Sequence, residues 1–453
     1  MLRIFQWAAT AAFLMCPAVS QAMSLDQAIR EAVSTNPRIG EAAANRRAVD
    51  LEVRQAQGGL LPQVRLYGEA GFERGRRFDS IPSAKDDDWR RGGEGGVVVR
   101  QLLFDGGATI NEIYRQMARS DAAAWRTFER AELTALDTIE AFVDIIRYSE
   151  SLAAARRNIQ VHRDLGQNVE SRFEGGRAGV GDREQVRERL EAALAIEAEL
   201  KIRLEEANAA FRRTVGKEPL ALKSPPRIGG LPANKKEALE LTLKSNPTLL
   251  ASHSDVTASQ RAYDAALGPM LPTVALEGRA SSGRNSSERT GRFDDATAKI
   301  ALSWDVFDGG TRAARRSELS ERVTEQQLRL DALRRSAFES VDRAWAARAN
   351  SGARVTSLVA QVAAAETVVK AYRSEYELGQ RTLLDLLNAE NGIFNAKLSL
   401  ASARMVAVFA DYQLLATSGR LLSRLNITPP EESRLRAEQQ RNLFPDIFAS
   451  PLR

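Results

Sequence analysis

The chain has 453 residues, with 64 Lys or Arg against 59 Asp or Glu, a net charge of +5, two histidines and one cysteine. A near balance of this kind describes a solvated surface of mixed sign, not the concentrated positive charge of a nucleic-acid binder. With so few histidines and thiols there is no ligand set for zinc or for nucleophilic thiol chemistry, so no cofactor, no metal and no catalytic residue is expected, and the chain does not read as an enzyme.

The first element is a leader over residues 1–22. Arg3 supplies a positive start, Ile4 to Met15 is mainly apolar, and Ser20-Gln21-Ala22 offers small residues for cleavage. The apolar run is too short for a membrane span. The single cysteine, Cys16, lies inside this segment, and Met15 before it does not suit lipidation. The exported chain would then lack cysteine altogether.

Beyond the leader the sequence repeats itself. Ala28 to Pro37 (AIREAVSTNP) matches Ala238 to Pro247 (ALELTLKSNP), and Leu61-Pro62 matches Leu271-Pro272. Phe104-Asp105-Gly106-Gly107 matches Phe307-Asp308-Gly309-Gly310. Landmarks that recur at a nearly fixed offset point to a duplicated architecture. The first repeat is expected over 23–220: a short helix, a strand hairpin at about 62–104, a long helix at about 107–173 and a return helix at about 182–215. A proline-rich linker follows at 221–234. The second repeat, 235–425, has a short helix, a hairpin at about 272–307, a long helix at about 310–376 and a return helix at about 383–415. Residues 426–453 read as a poorly ordered tail, with a short helix around Glu431 to Arg441.

Proline placement supports the long helices. None occurs between Pro82 and Pro219 or between Pro272 and Pro429, and proline is the residue that breaks a helix interior. A helix over 107–173 would reach about 100 Å at 1.5 Å per residue, which calls for an elongated coiled assembly.

The strands alternate. Val64, Leu66, Ala70 and Phe72 fall on one side, with Arg65, Tyr67 and Glu69 on the other. Ile300, Leu302, Trp304 and Val306 face away from Lys299, Ala301, Ser303 and Asp305. Strands of about ten residues with one apolar face can cross a bilayer as part of a β-barrel. Polar hairpin tips, Glu73 to Glu94 and Ser281 to Asp294, fit extracellular loops. Four strands cannot close a barrel, and an open edge in lipid leaves backbone groups unsatisfied. Several copies must contribute, and geometry alone allows a dimer with eight strands or a trimer with twelve.

The most specific stretch lies near the end of the second repeat. Tyr376-Glu377-Leu378-Gly379 leads to Arg381-Thr382-Leu383-Leu384-Asp385, and Asn395-Ala396-Lys397 follows. A glycine between two strongly periodic segments reads as a helix–turn–helix corner. The same corner occurs in the first repeat as Phe173-Glu174, Gly176 and Asp182, 203 positions earlier. The glycine cluster Gly175 to Gly181 has no following lysine and follows a helix, so it is neither a P-loop nor a dinucleotide fingerprint.

This corner resembles that of the TolC family of outer-membrane exit ducts, and the resemblance extends over nearly all of the exported chain. It implies a mainly α fold with a small β part: a tandem-duplicated, long-helix α-barrel joined to a transmembrane β-barrel to which each chain of a homotrimer gives four of twelve strands. It implies a place in the outer membrane of a Gram-negative bacterium, in contact with its lipid, with the helices in the periplasm. The partners implied are a periplasmic adaptor (membrane fusion) protein and an inner-membrane pump, ABC-type or proton-driven. Cargo would be protein, as in type I secretion, or small toxic molecules, as in efflux.

The resemblance also assigns a periplasmic gate. Tyr376 and Arg381 would hold the inner helices through polar links to Asp182 of the first repeat, and Asp385 would form an acid ring. A second ring acid, common in the family, is replaced here by Asn388. Gly176 and Gly379 would be the corner glycines. Asp105, Gly106 and Gly107, with Asp308, Gly309 and Gly310, would cap the long helices and make the strand-to-helix bends. The competing reading is a coiled-coil structural or adhesive protein, or an adaptor, that forms no pore. Paired amphipathic strands argue against it.

Overall fold

The computed structural model describes residues 22–74, 89–219, 221–286, 291–435 and 443. The leader therefore lies outside the described residues except for Ala22, as do most of the first hairpin tip and part of the second. Among the described residues the chain is mainly helical with one four-stranded sheet, as the sequence suggests.

The helices are α1 (Leu25–Thr35), α2 (Pro37–Gly58), α3 (Ala108–Glu174), α4 (Val180–Val215), α5 (Lys235–Ser245), α6 (Pro247–Ala265), α7 (Thr311–Glu377), α8 (Leu383–Thr417) and the short α9 (Leu421–Arg424). The strands are β1 (Gln63–Glu73), β2 (Arg90–Phe104), β3 (Thr273–Arg284) and β4 (Arg292–Ser303). Both long helices, α3 and α7, contain 67 residues.

The rising segment of each repeat differs from the single helix expected. It is two helices, split at Asn36-Pro37 and at Asn246-Pro247. Proline disfavours the α conformation in the residue before it, so each asparagine is extended (ψ 124° and 119°) and a new helix starts on the proline. Both asparagines cap that new helix: Arg38 N–H donates to Asn36 Oδ1 at 3.0 Å and Leu249 N–H to Asn246 Oδ1 at 3.1 Å.

The chain forms two compact units. One comprises Met1–Ala32, Asp137–Gly229 and Ala349–Asp411; the other comprises Val33–Leu136, Gly230–Arg348 and Tyr412–Arg453. In the first, Ala154, Ala155 and Phe394 form a buried cluster with Ile196, Leu200 and Leu398 against it, and the rings of Phe142 and Phe211 lie 6.4 Å apart. Small residues on α3 let neighbouring helices come close enough for this packing. A second cluster in this unit sits at the corners and is described below.

The second unit holds the sheet and, among the described residues, the buried clusters Ala238–Val341–Ala344–Leu414 and Val53–Ile113–Met117. The sheet order is β1-β2-β3-β4, antiparallel throughout, so β1 and β4 are its two edges. Direct cross-strand pairs such as Leu66↔Val97, Val97↔Ala280 and Leu276↔Ile300 place the apolar residues on one face. That face is bare: Leu66 is 80 %, Ile300 70 % and Leu302 68 % exposed. β4 begins earlier than the alternation suggests and stops at Ser303, paired with Thr273, so Trp304 and Val306 lie past the ladder. Trp304 instead donates its indole N–H to the Met270 carbonyl at 3.2 Å.

The C-terminal segment is partly attached. Ile427 and Ser433 are buried, Arg47 pairs with Glu432, and Leu443 packs on the Val53 cluster. In place of the expected helix at 431–441, the described residues show one 3-10 turn, Glu431–Ser433, after Pro429-Pro430; the rest of that range lies outside the described residues.

Candidate functional site

Both corners are built by the same turn. Gly176 (φ +71°) follows α3 and Gly379 (φ +75°) follows α7. Arg177 N–H donates to Arg172 O at 2.7 Å and Gly176 N–H to Phe173 O at 2.9 Å. Gln380 N–H donates to Glu375 O at 2.8 Å and Gly379 N–H to Tyr376 O at 3.1 Å. This left-handed closure satisfies the last carbonyls of each long helix and favours glycine at the turning residue.

The two aspartates start the return helices in equivalent positions. Asp182 Oδ2 accepts from Gly179 N–H at 3.3 Å. Thr382 donates its hydroxyl to Asp385 Oδ2 at 2.7 Å, and Asp385 N–H donates to Thr382 Oγ1 at 3.2 Å. Both carboxylates sit in the first turn of a helix, where negative charge is favoured. Asp385 is half-buried and Asn388, three residues on, is exposed.

Tyr376 is 9 % exposed, in a cluster with Leu165, Val169, Val186, Leu383, Leu386 and Leu387. The guanidinium of Arg172 lies 4.5 Å from its ring centroid. Burial raises the phenol above its ordinary pKa; the Arg172 charge opposes this and Asp182 adds to it. The ring is therefore a neutral hydrogen-bonding group held between the two repeats.

Within this chain Arg381 pairs with Glu375 and not with Asp182, the partner that the resemblance assigns to it. Its Nε lies 2.8 Å from Glu375 Oε2, and its guanidinium sits 4.1 Å from the Tyr372 ring centroid. The cause is the turn itself. By bonding Gln380 to the Glu375 carbonyl, it folds the next side chain back over the last turn of α7, while the Asp182 carboxylate is already used by its own helix start. Just along the same helices, Arg373 pairs with Glu390 at 2.5 Å, and Glu390 is 4 % exposed. Buried His162 lies close by; burial lowers its pKa, with Glu390 pulling the other way.

Arg172, Glu375, Tyr372, Arg373 and Glu390 are thus corner residues that motif reading passes over. One signal was available: Arg172 precedes Phe173, the repeat counterpart of Tyr376.

The strand-to-helix bends are equivalent to each other as well. Asp105 accepts from Gly107 N–H at 3.0 Å and from Thr109 N–H at 2.8 Å. Asp308 accepts from Gly310 N–H at 3.1 Å and from Arg312 N–H at 2.9 Å. Gly106, Gly107, Gly309 and Gly310 all have positive φ. At Gly106 space is short as well, since an added Cβ would meet Gly268 Cα at 2.8 Å.

The face of the sheet opposite the bare apolar one is charged. Tyr67 donates to Glu94 at 2.6 Å, Arg279 donates to the same carboxylate at 2.6 Å, and Arg100 and Lys299 flank Glu277 at 3.7 and 3.6 Å. One apolar and one charged face is the cross-section of a water-filled barrel wall in lipid.

The family model described as outer membrane efflux protein matches residues 28–217 and 238–420, one match per repeat. The outer membrane efflux protein BepC of Brucella suis is 26 % identical over 404 residues, covering 88 % of this chain and 86 % of that protein. The alkaline protease secretion protein AprF of Pseudomonas aeruginosa is 23 % identical over 419 residues, covering 89 % and 86 %. Among solved structures, the CmeC outer membrane channel of Campylobacter jejuni superposes with a TM-score of 0.79 at 13 % identity, covering 94 % of this chain and 90 % of that one. The chain belongs to the outer membrane efflux protein family, and is a channel of the Gram-negative outer membrane of the kind that serves efflux and type I secretion.

Proposed function

We propose that three copies of the chain pair edge to edge into a closed twelve-stranded barrel, and that their helices continue it as a periplasmic duct held shut at rest by the second corner. The observation that carries this reading is the four-stranded sheet with one bare apolar face and, among the described residues, two edges without a partner strand in the chain. In lipid each unpaired edge group costs several kcal/mol, so closure by further copies is required. Strands of 11, 15, 12 and 12 residues are long enough to cross the bilayer at a tilt.

Tyr376, Arg381, Arg172 and Glu375 are the resting latch in this reading, with Asp385 lining the narrow end. The duct itself does no chemistry. A periplasmic adaptor docks on the paired helices and an inner-membrane pump supplies the energy. The names of two relatives, one an efflux protein and one a protease secretion protein, support both cargo classes for this architecture.

The test is planar-bilayer conductance of the purified protein together with its mass by native mass spectrometry. Trimers with small, unsteady conductance steps are expected. A dimer would overturn the stoichiometry. Folded, membrane-inserted protein with no conductance would return the chain to the non-pore reading.

A further inference from the structure

The outward end of the sheet's apolar face carries an arrangement that barrel closure does not explain. Arg284 of β3 lies directly opposite Arg292 of β4. Arg284 also lies opposite Gly93 of β2, and Arg91, two residues along, shares that face and stands opposite Phe72. All three arginines therefore sit on the face of Leu66, Val97, Ala280 and Ile300. Like charges directly across a strand pair destabilise it. Among the described residues, the acid in reach of the trio is Asp294, 3.8 Å from Arg292, and both side chains are largely exposed, at 66 % and 80 %.

Below the arginines the same face is hollow. Gly278, Ala280, Ala296 and Ala298 floor a shallow depression of about 390 Å³, with Val97 and Val99 at its side. From Arg284 to Ala280 is four residues, about 13 Å along a strand. Bulkier side chains, Leu66, Leu276 and Ile300, stand out elsewhere on this face. Charge and hollow thus stand in line, with the charge at the hairpin tips and the hollow within the apolar band.

We propose that this is a binding site for a phosphorylated, acylated lipid of the outer leaflet. Its phosphate would sit between Arg284 and Arg292 with Arg91 beside it, and an acyl chain would lie in the depression. A guanidinium pairs with phosphate oxygens through two parallel N–H donors. An anion there turns a repulsive cross-strand pair into a clamp. A free phosphate would gain only the exposed, screened half of this interaction, whereas the lipid gains the apolar half as well. The inference rests on the barrel reading, because it needs this face to meet lipid.

The experiment uses full-length protein in detergent, taken from preparations already shown to conduct, so that failure here is distinct from failure of the channel reading. Native mass spectrometry would follow retention of bisphosphorylated lipid A, its dephosphorylated form and phosphatidylethanolamine. Two variants are compared with wild type: Arg91→Gln/Arg284→Gln/Arg292→Gln together, and Ala280→Phe, which fills the hollow. The expected result is selective retention of the bisphosphorylated lipid, weakened roughly tenfold or more in each variant, with millimolar inorganic phosphate unable to displace it. Equal retention of the dephosphorylated form, or wild-type retention by the arginine variant, would overturn the site. Displacement by inorganic phosphate would reduce it to a free-anion site and also overturn the proposal. An unchanged Ala280→Phe variant would remove the acyl seat on which the proposal depends.

Discussion

Arg172 of the first repeat lies over the ring of Tyr376 of the second, 4.5 Å from its centroid. The ring also belongs to the apolar cluster of Leu165, Val186 and Leu386, so Tyr376 is held by a cation and by packing together. A cation over a tyrosine contributes about 1 kcal/mol, too little to decide whether the unit folds. It is enough to bias a resting corner between held and released. Arg172→Ala should therefore leave the protein folded and give larger, steadier conductance steps than wild type, with Arg172→Lys in between because it keeps the cation. Wild-type steps from Arg172→Ala would reduce the contact to packing.

Arg381 makes a sharper case, because its partner in the fold is not the one its motif suggests. If Arg381 latches the corner through Glu375 and Tyr372, then Glu375→Gln should enlarge the conductance about as much as Arg381→Ala. The double variant should add little beyond either, since residues acting through one contact are not additive. If Glu375→Gln conducts like wild type while Arg381→Ala opens, Arg381 acts instead through an acid of a neighbouring copy. The three variants measured side by side separate these cases.

The parts of this fold that were legible from sequence are those written in spacing. Two corners 203 positions apart, two Asp-Gly-Gly bends and alternating strands each rest on residues whose backbone or pattern requirement is local. The rest depends on where a turn sends a side chain. Nothing in Arg381's neighbourhood tells that the left-handed closure at Gly379 returns it to Glu375. Asn36 and Asn246 are repeat landmarks in the sequence, yet the helix break at each follows from the proline after it. Glu132 of α3 carries no sequence signal at all, since the backbone N–H groups its carboxylate accepts, those of Leu421 and Leu422, lie 289 and 290 residues away.

Asp385 and Asn388 lie three residues apart on α8, so their side chains share a face. Three copies of Asp385 around an axis would favour cations and disfavour anions. Asn388→Asp adds a second ring of acids one turn along. It should make conductance more sensitive to block by magnesium or a trivalent cation, with roughly tenfold less cation needed, the factor that about 1.4 kcal/mol supplies. Asp385→Asn should shift the block the other way. Titrating the cation against single-channel current checks both, and unchanged block in both variants would place these residues away from the conducting path.

Glu132 of α3 clasps the chain just past α8. Its two carboxylate oxygens accept the backbone N–H groups of Leu421 and Leu422 at 3.0 Å each, which are orphan donors at the start of α9. The carboxyl is buried, and burial raises its pKa from 4.5 to about 7 against the pull of those two donors. A carboxyl whose folded pKa lies above its unfolded value takes up a proton on folding. Its stabilising contribution is full below about pH 4.5 and is lost as pH rises past about 7. The loss across that window is on the order of 3 kcal/mol. Glu132→Gln cannot titrate, and its amide nitrogen faces a donor it cannot satisfy, a cost of about 1–3 kcal/mol. The variant should therefore melt well below wild type at pH 5 and approach it by pH 8, because wild type falls across that range while the variant does not. Melting curves of both proteins at four pH values between 5 and 8 measure the difference directly, with every other titrating group cancelled. Two parallel curves would mean that Glu132 stays ionised throughout and that its two amide donors, not burial, set its charge.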